Sequence, residues 1–285
     1  MYLIQEDKAN IRIIWSFHHI ILDGWCLNIV KNKLIDNYNC LISQKSDLNI
    51  IKNSNIKFHY DQYITWLRKQ NNEKSVEFFL DFLKGYDGIV RLPSIKDNTE
   101  KNRLIEELSI QETDDFLYGL QEFSKKHSIT ANTIVETAIG IVLQKYNHTN
   151  DVVFGKVVSG RNIDLDGIEN GVGLFVNTIP TRILSKKNMT VIELLKTIQK
   201  NSIDCIRYEH CSLAEIQNGM PQKEKLINIL YVFENYHFEN NGEKDLQLVS
   251  YHEEVNYDVL ITSGYINNKL YYKVSYNSAI YSKKK

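Results

Sequence analysis

The chain has almost no imbalance of charge: 34 lysines and arginines stand against 35 aspartates and glutamates in 285 residues, a formal net charge of −1. No global field therefore draws it to nucleic acid or to an anionic membrane. Its four cysteines, Cys26, Cys40, Cys205 and Cys211, contain no C-x-x-C pair and no regular spacing. That speaks against a zinc site or a disulfide framework and leaves cytosolic free thiols as the economical reading. The start, Met1 to Lys8, turns acidic at once with no apolar core, so no secretory signal is expected and the expected location is the cytoplasm. Long apolar runs are missing as well. The most apolar later stretch, Thr133 to Leu143, is cut by Glu136 and is too short to span a bilayer. There is no P-loop, no full dinucleotide fingerprint, no internal repeat and no low-complexity block. Gly171-Val172-Gly173 alone is weak support for phosphate binding and marks a place where the backbone turns tightly or approaches something closely.

What is present suits a globular fold, with 43% hydrophobic and 24% charged residues. The length allows one large domain or two lobes. Ionisable side chains are most tightly set in an apolar surround at Trp15-Ser16-Phe17-His18-His19-Ile20-Ile21-Leu22-Asp23-Gly24-Trp25. Ile11 to Phe17 is β-branched and aromatic and reads as a strand, whose alternation places His19 with Ile13, Trp15 and Phe17, and His18 with Ile14 and Ser16. Asp23 is suited to cap a helix with Trp25, Leu27, Ile29, Val30 and Leu34 on its apolar positions, ending near Asn37 to Asn39. A neutral imidazole at a strand end can take a proton from an attacking amine or hydroxyl, and the Gly24 N–H at a helix start can serve a developing oxyanion. The same residues also fit a hydrogen-bonded core histidine and a plain helix cap.

A polar connection rich in Asn, Lys and Ser follows to about Lys57 and is the expected lobe boundary. Helical spacing recurs in two helices from Tyr60 to Leu83, separated at Asn71-Asn72, with the aromatic stripe as core. Thr113 to Lys126, Thr130 to Tyr146 and Met189 to Tyr208 are further helices, and Thr130 with Thr133 lacks the Glu or Gln of a full capping box. Asp151 to Val158 reads as a buried strand ending on Ser159-Gly160-Arg161, whose arginine can reach a cleft. Glu209-His210-Cys211 holds a cysteine beside a histidine, but contiguous residues are poorly placed as a nucleophile pair, and loop packing is the better reading. Ile227 to Glu234, Leu246 to Glu253, Tyr257 to Tyr265 and Lys269 to Tyr276 alternate like strands. Helices interleaved with strands, then consecutive late strands, indicate a mixed-sheet α/β fold.

His18-His19-Ile20-Ile21-Leu22-Asp23-Gly24 resembles the HHxxxDG signature of nonribosomal peptide synthetase condensation domains, and Trp25 continues it as that family commonly does. Tyr60 to Trp66 resembles the YxDYxxW segment, Ser159-Gly160-Arg161 the SGR segment, Gly173 to Thr178 the GxFVNT segment, and Val232 to Tyr236 the VFENY strand. Five matches in the family's order across residues 10 to 240 make the resemblance specific.

The resemblance implies a chloramphenicol acetyltransferase-like mixed sheet with flanking helices. Residues 1–55 would end the N-terminal lobe and carry the histidine motif, and residues 56–285 would form a nearly complete C-terminal lobe. The family's earlier segments, including an RHExLRT stretch, and its last helix have no counterpart, so the expectation is a domain cut short at both ends. The implied activity is acyl transfer: a peptide bond formed between aminoacyl or peptidyl thioesters held on the phosphopantetheine arms of upstream and downstream carrier domains. The implied partners are those carriers, the missing lobe and neighbouring synthetase domains, with no nucleic acid, no membrane, no metal and no cofactor bound by the chain itself. By the same resemblance His19 is catalytic, His18, Asp23 and Arg161 support the motif with Arg161 facing Asp23, and Gly24 and Asn177 serve the oxyanion or the substrate. The wording DGWC and VGLFVNTIP looks more like domains that accept a D-configured donor. The alternatives are an inactive remnant or carrier-docking module, and another histidine-dependent acyltransferase using acyl-CoA. Against the last, the plant-type DFGWG segment is absent, and a glycerolipid enzyme would not carry the SGR and FVNT matches.

Overall fold

A computed structural model describes residues 1–8, 10–42, 58–94, 104–221, 225–234, 249–250, 255–266 and 268–282. The connection expected at 43–57, most of the strand expected at Leu246 to Glu253, and Lys283 to Lys285 lie outside the described residues. The chain divides into two compact units, one of residues 1–69 with 163–176, the other of 70–162 with 177–285.

The first unit begins with an antiparallel hairpin of β1 (Tyr2–Gln5) and β2 (Ile11–Ile14), in register Tyr2↔Ile14 to Gln5↔Ile11. Helix α1 (Gly24–Ile42) and helix α2 (Tyr60–Arg68) follow. Two expectations are corrected here. The strand does not run to Phe17: the ladder ends at Ile14, residues 15–18 have no regular structure, and both histidines sit at a turn. Extended backbone needs a neighbour for its N–H and C=O groups, and beyond Tyr2↔Ile14 none is supplied among the described residues. Helix α1 passes Asn37 and Asn39, because asparagine costs a helix only about 0.7 kcal/mol and no Gly or Pro follows to end it. Its buried side chains are Cys26, Leu27 and Ile35, while Leu34 is exposed.

The core of this unit is aromatic. Phe58, Tyr63, Ile168 and Phe175 are buried together, with Tyr60, Ile64, Trp66, Leu67, Ile163 and Leu165 packed around them. Tyr60, Tyr63 and Trp66 are spaced to share one helical face, so the stripe is core, as the spacing implies.

The second unit holds a six-stranded mixed sheet in the order β3-β8-β7-β6-β4-β5. Its strands are β3 (Ile105–Gln111), β4 (Asp151–Val158), β5 (Asn177–Leu184), β6 (Ile229–Glu234), β7 (Val259–Ile266) and β8 (Lys269–Asn277). The β4–β6 and β6–β7 pairs are parallel and the others antiparallel. Sequence patterning misses β3 and β5, and both lie at the ends of the order. Strand β3 is exposed throughout and carries Glu106 and Glu107, and β5 contains Pro180, which is tolerated only where a strand has one neighbour.

Both faces of this sheet are covered. Val152 and Phe154 pack with Val135 and Leu143 of α5 (Ala131–Tyr146) and with Leu194 and Ile198 of α6 (Val191–Cys205). Val153 points the other way, among Phe79 and Leu83 at the end of α3 (Asn72–Phe82) and Ile216 of α7 (Leu213–Gly219). A strand buried on both sides is apolar at consecutive positions, as Val152-Val153-Phe154 is. Helix α4 (Asp114–His127) lays Leu117 and Leu120 on Leu270 of β8. The N-caps follow the hydroxyl and amide signals: Asn71, Thr113, Thr130 and Thr190 each accept from the N–H three residues on, and Thr190 with Glu193 completes a capping box.

Glu136, the charge that interrupts the apolar run of α5, is fully buried and paired. Its Oε2 accepts from Lys156 Nζ at 2.6 Å, its Oε1 accepts from Thr181 Oγ1 at 2.5 Å, and Lys156 Nζ also donates to Ser202 Oγ at 3.1 Å. Lys156→Met is expected to destabilise the chain by about 3–5 kcal/mol in urea denaturation, because it strands a buried carboxylate. Replacing Glu136 and Lys156 together by apolar residues is expected to cost much less.

Candidate functional site

The histidine turn is built from its own side chain. Ile20 N–H donates to His18 Nδ1 at 3.1 Å and Ile21 N–H donates to His18 O at 3.1 Å. An accepting Nδ1 assigns His18 the neutral tautomer protonated at Nε2. His18 is exposed and His19 half-buried, whereas Leu22 and Asp23 beside them are buried. The chain thus enters the interior at the aspartate.

Asp23 has no accessible surface, and its carboxylate is met by donors on both oxygens. Oδ2 accepts from Phe175 N–H at 3.0 Å and Val176 N–H at 3.3 Å. Oδ1 accepts from Cys26 N–H at 3.3 Å, the N-cap bond of α1, and lies 3.2 Å from Cys26 Sγ. Asp23 N–H donates to Gly173 O at 3.2 Å, so the two segments hold each other in both directions. Water is replaced by main-chain donors around a buried charge. Such a carboxylate shapes the turn, and a proton acceptor is left to the imidazoles.

Around this bond the main chain of 169–174 is fastened side chain by side chain. Trp25 Nε1 donates to Glu169 O at 3.0 Å, and Tyr60 OH donates to Leu174 O at 2.6 Å. Cys26 Sγ lies 3.2 Å from Gly173 O and 3.4 Å from Gly173 N. Burial pushes the Cys26 thiol up, with the Asp23 charge adding to it, so the sulfur is a packed polar group rather than a nucleophile. The Phe175 ring sits 4.8 Å from Tyr63 and 5.1 Å edge-on from Tyr60. A Cβ at Gly173 would overlap the Tyr60 ring, which identifies the close approach implied by Gly171-Val172-Gly173. Three of the sequence segments, at 18–24, 60–66 and 173–176, therefore form one assembly within the first unit. Sequence patterning does not single out Cys26 or the aromatic clamp on Phe175 as parts of the site; the signal for the clamp is the helical spacing of Tyr60, Tyr63 and Trp66.

Gly24 is the first residue of α1. Arg161 and Asn177 belong to the second unit. Arg161 follows β4 and Gly160, whose φ is 65°, and is buried; its N–H donates to Ser159 Oγ at 3.3 Å and its Nη1 to Ser159 O at 3.5 Å. Asn177 begins β5, and its Nδ2 donates to Glu209 O and Cys211 O, both at 2.7 Å. His210 Nε2 lies 3.0 Å from Ser75 Oγ, and burial holds the ring's pKa down; burial raises the Cys211 thiol to about 11. A protonated thiol is not an activated nucleophile, so the loop-packing reading of 209–211 fits. Val232 to Glu234 lie in β6, while Asn235 and Tyr236 are outside the described residues. Among the described residues no group of His, Cys, Asp and Glu could hold a metal ion, and no helix is long and apolar enough to cross a membrane.

A mixed sheet with helices on both faces and a histidine turn locked by a buried aspartate define the class in which to look for relatives. The family model of the condensation domain matches residues 1–285, and the chain belongs to that family. Bacitracin synthase 1 of Bacillus licheniformis is 36% identical over 288 residues, which are 98% of this chain and 5% of that protein. Gramicidin S synthase 2 of Brevibacillus brevis is 36% identical over 291 residues, 98% of this chain and 6% of that protein. The chain thus spans about a twentieth of the length of these curated relatives. Two solved structures share the fold. The epimerization domain from the third module of tyrocidine synthetase B has a TM-score of 0.70 at 18% identity, over 94% of this chain and 63% of that one. The X-domain from teicoplanin biosynthesis, solved in complex with OxyB, has a TM-score of 0.75 at 15% identity, over 93% of this chain and 62% of that one.

Gly173→Ala is expected to destabilise the first unit by about 1–3 kcal/mol, since the ring of Tyr60 must give way in a packed core. Asp23→Asn turns one acceptor into a donor facing main-chain N–H groups, at an expected cost of about 1–3 kcal/mol. Thermal unfolding of both variants checks these losses.

Proposed function

We propose that this chain is the motif-bearing part of a nonribosomal peptide synthetase condensation domain, joining aminoacyl or peptidyl thioesters on two carrier domains. The observation that carries the reading is the histidine turn, closed by His18 and rooted by Asp23, with His19 partly accessible on it. On this reading residues 1–55 end the first lobe and 56–285 form the second, the carriers and neighbouring synthetase domains are its partners, and the synthetase works in the cytoplasm.

The chemistry asks little of a base. A thioester is already electrophilic, and an α-amine with a reference pKa of about 8 is partly neutral at pH 7. The amine of the downstream aminoacyl group attacks the upstream thioester carbonyl, forming the C–N bond as the carbonyl electrons move onto oxygen. The Gly24 N–H at the start of α1 serves that oxygen. His19 orients the amine and takes its proton; collapse restores the carbonyl and breaks the C–S bond, and the proton passes to the departing pantetheine thiolate. The lengthened peptidyl chain then rests on the downstream arm. Position supplies most of the rate, which is why a turn held so firmly suits the task. Arg161 is part of the same proposal as a support of the motif, and D-configured donors are the preferred upstream substrate.

The test uses the holo-synthetase carrying this chain, with both carriers loaded and the downstream carrier read by intact mass. His19→Ala is expected to lower the rate of product formation by about 100-fold or more while carrier binding is kept. Full activity of that variant, or equal turnover when acyl-CoA replaces the upstream carrier, would sink the assignment. Asp23→Asn and Arg161→Ala, alone and combined, measure the support: equal losses that do not add are expected, and independent losses would remove Arg161 from it.

A further inference from the structure

The side chain of Asn177 is already committed. Both hydrogens of its amide are used, one on Glu209 O and one on Cys211 O, each at 2.7 Å. Its Oδ1 accepts from Thr178 N–H at 2.9 Å. Little is left to offer a substrate, since an amide nitrogen has two hydrogens and no acceptor capacity. The turn that receives these bonds is anchored in its own right. Cys211 is fully buried and Glu209 nearly so, Cys211 N–H donates to Tyr208 O at 2.9 Å, and the Glu209 carboxylate accepts from Asn162 Nδ2 at 3.3 Å. Asn162 directly follows Ser159-Gly160-Arg161, so the turn holds one motif segment through a carboxylate and another through two carbonyls.

The consequence follows from the covalent chain. Residue 177 is the immediate successor of Val176, whose N–H, with that of Phe175, donates to the carboxylate of Asp23. Fixing Asn177 fixes the end of the segment from which those two N–H groups project.

We propose that Asn177 is a positioning residue, suspended from the Glu209–Cys211 turn, and that this turn is the anchor against which the Asp23-bound segment and the Ser159–Asn162 loop are set for the reaction. The role deepens the function proposed above and rests on it. Asn177 acts through Val176 and Asp23 on the histidine turn and does not touch the reacting atoms.

Asn177→Ala in the holo-synthetase separates the possibilities. A positioning role predicts a kcat lowered by about 10- to 100-fold with KM for either loaded carrier changed by less than about twofold. It also predicts faster hydrogen exchange in peptides covering 173–178 and 208–212, by about tenfold or more. A raised KM with kcat and exchange unchanged would make Asn177 a substrate contact and overturn the proposal. A lowered melting temperature with kcat at 10 °C and exchange at 173–178 both unchanged would make it a plain fold stabiliser, and the proposal would fall equally. If Asn177→Ala does not fold, Asn162→Ala leaves both Asn177 bonds in place and frees only the Glu209 carboxylate. That variant is expected to move kcat and exchange at 208–212 in the same direction by about threefold, and no movement in either overturns the proposal. A wild-type complex that forms no peptide bond would remove the functional reading alone, and the exchange measurements would then decide the anchor by themselves.

Discussion

A carboxylate shut away from water persists only where the protein supplies donors in its place, and Asp23 obtains three from the main chain, at residues 26, 175 and 176. Everything around the histidine turn is arranged about that requirement. The cap of α1, the closeness of Gly173 to Tyr60 and the aromatic packing of Phe175 bring N–H groups to two oxygens. The stability of the turn is thus lent by a segment distant in sequence, and its histidines are held without a strand beneath them.

The second unit solves a different problem by similar means. A sheet covered on both faces leaves little room for charge, yet α5 carries Glu136 into the interior. Lys156 and Thr181, from adjacent strands of the sheet, meet the carboxylate, and Ser202 of α6 meets the lysine. One ionic group therefore ties two helices to two strands in a defined register. Apolar packing tolerates small slips, whereas this arrangement does not.

Much of this was legible in the residues. Thr113, Thr130 and Asn71 announced their helices because a short polar side chain before an apolar run has one good use there. Val152-Val153-Phe154 announced a strand buried on both faces. The illegible parts share a cause: their conformation is set by distant partners. Trp15 to His18 has the composition of a strand but no neighbour to pair with, and Ile105 to Gln111 has charges of a loop but is paired along its whole length with β8. The histidine motif could be found as a pattern. That Asp23 answers to main-chain groups at 175 and 176 could not, since a backbone N–H leaves no mark on the identity of its residue.

The separation of 152 residues between Asp23 and Phe175 has a consequence in time. Synthesis adds about 5–20 residues per second, so the aspartate waits roughly 8–30 s before its donors have been polymerised. Helix–coil relaxation is over in about a microsecond, so the start of the chain is ready long before it can be completed. During that interval the carboxylate keeps its water, and the histidine turn acquires its final shape only after more than half of the chain has been made.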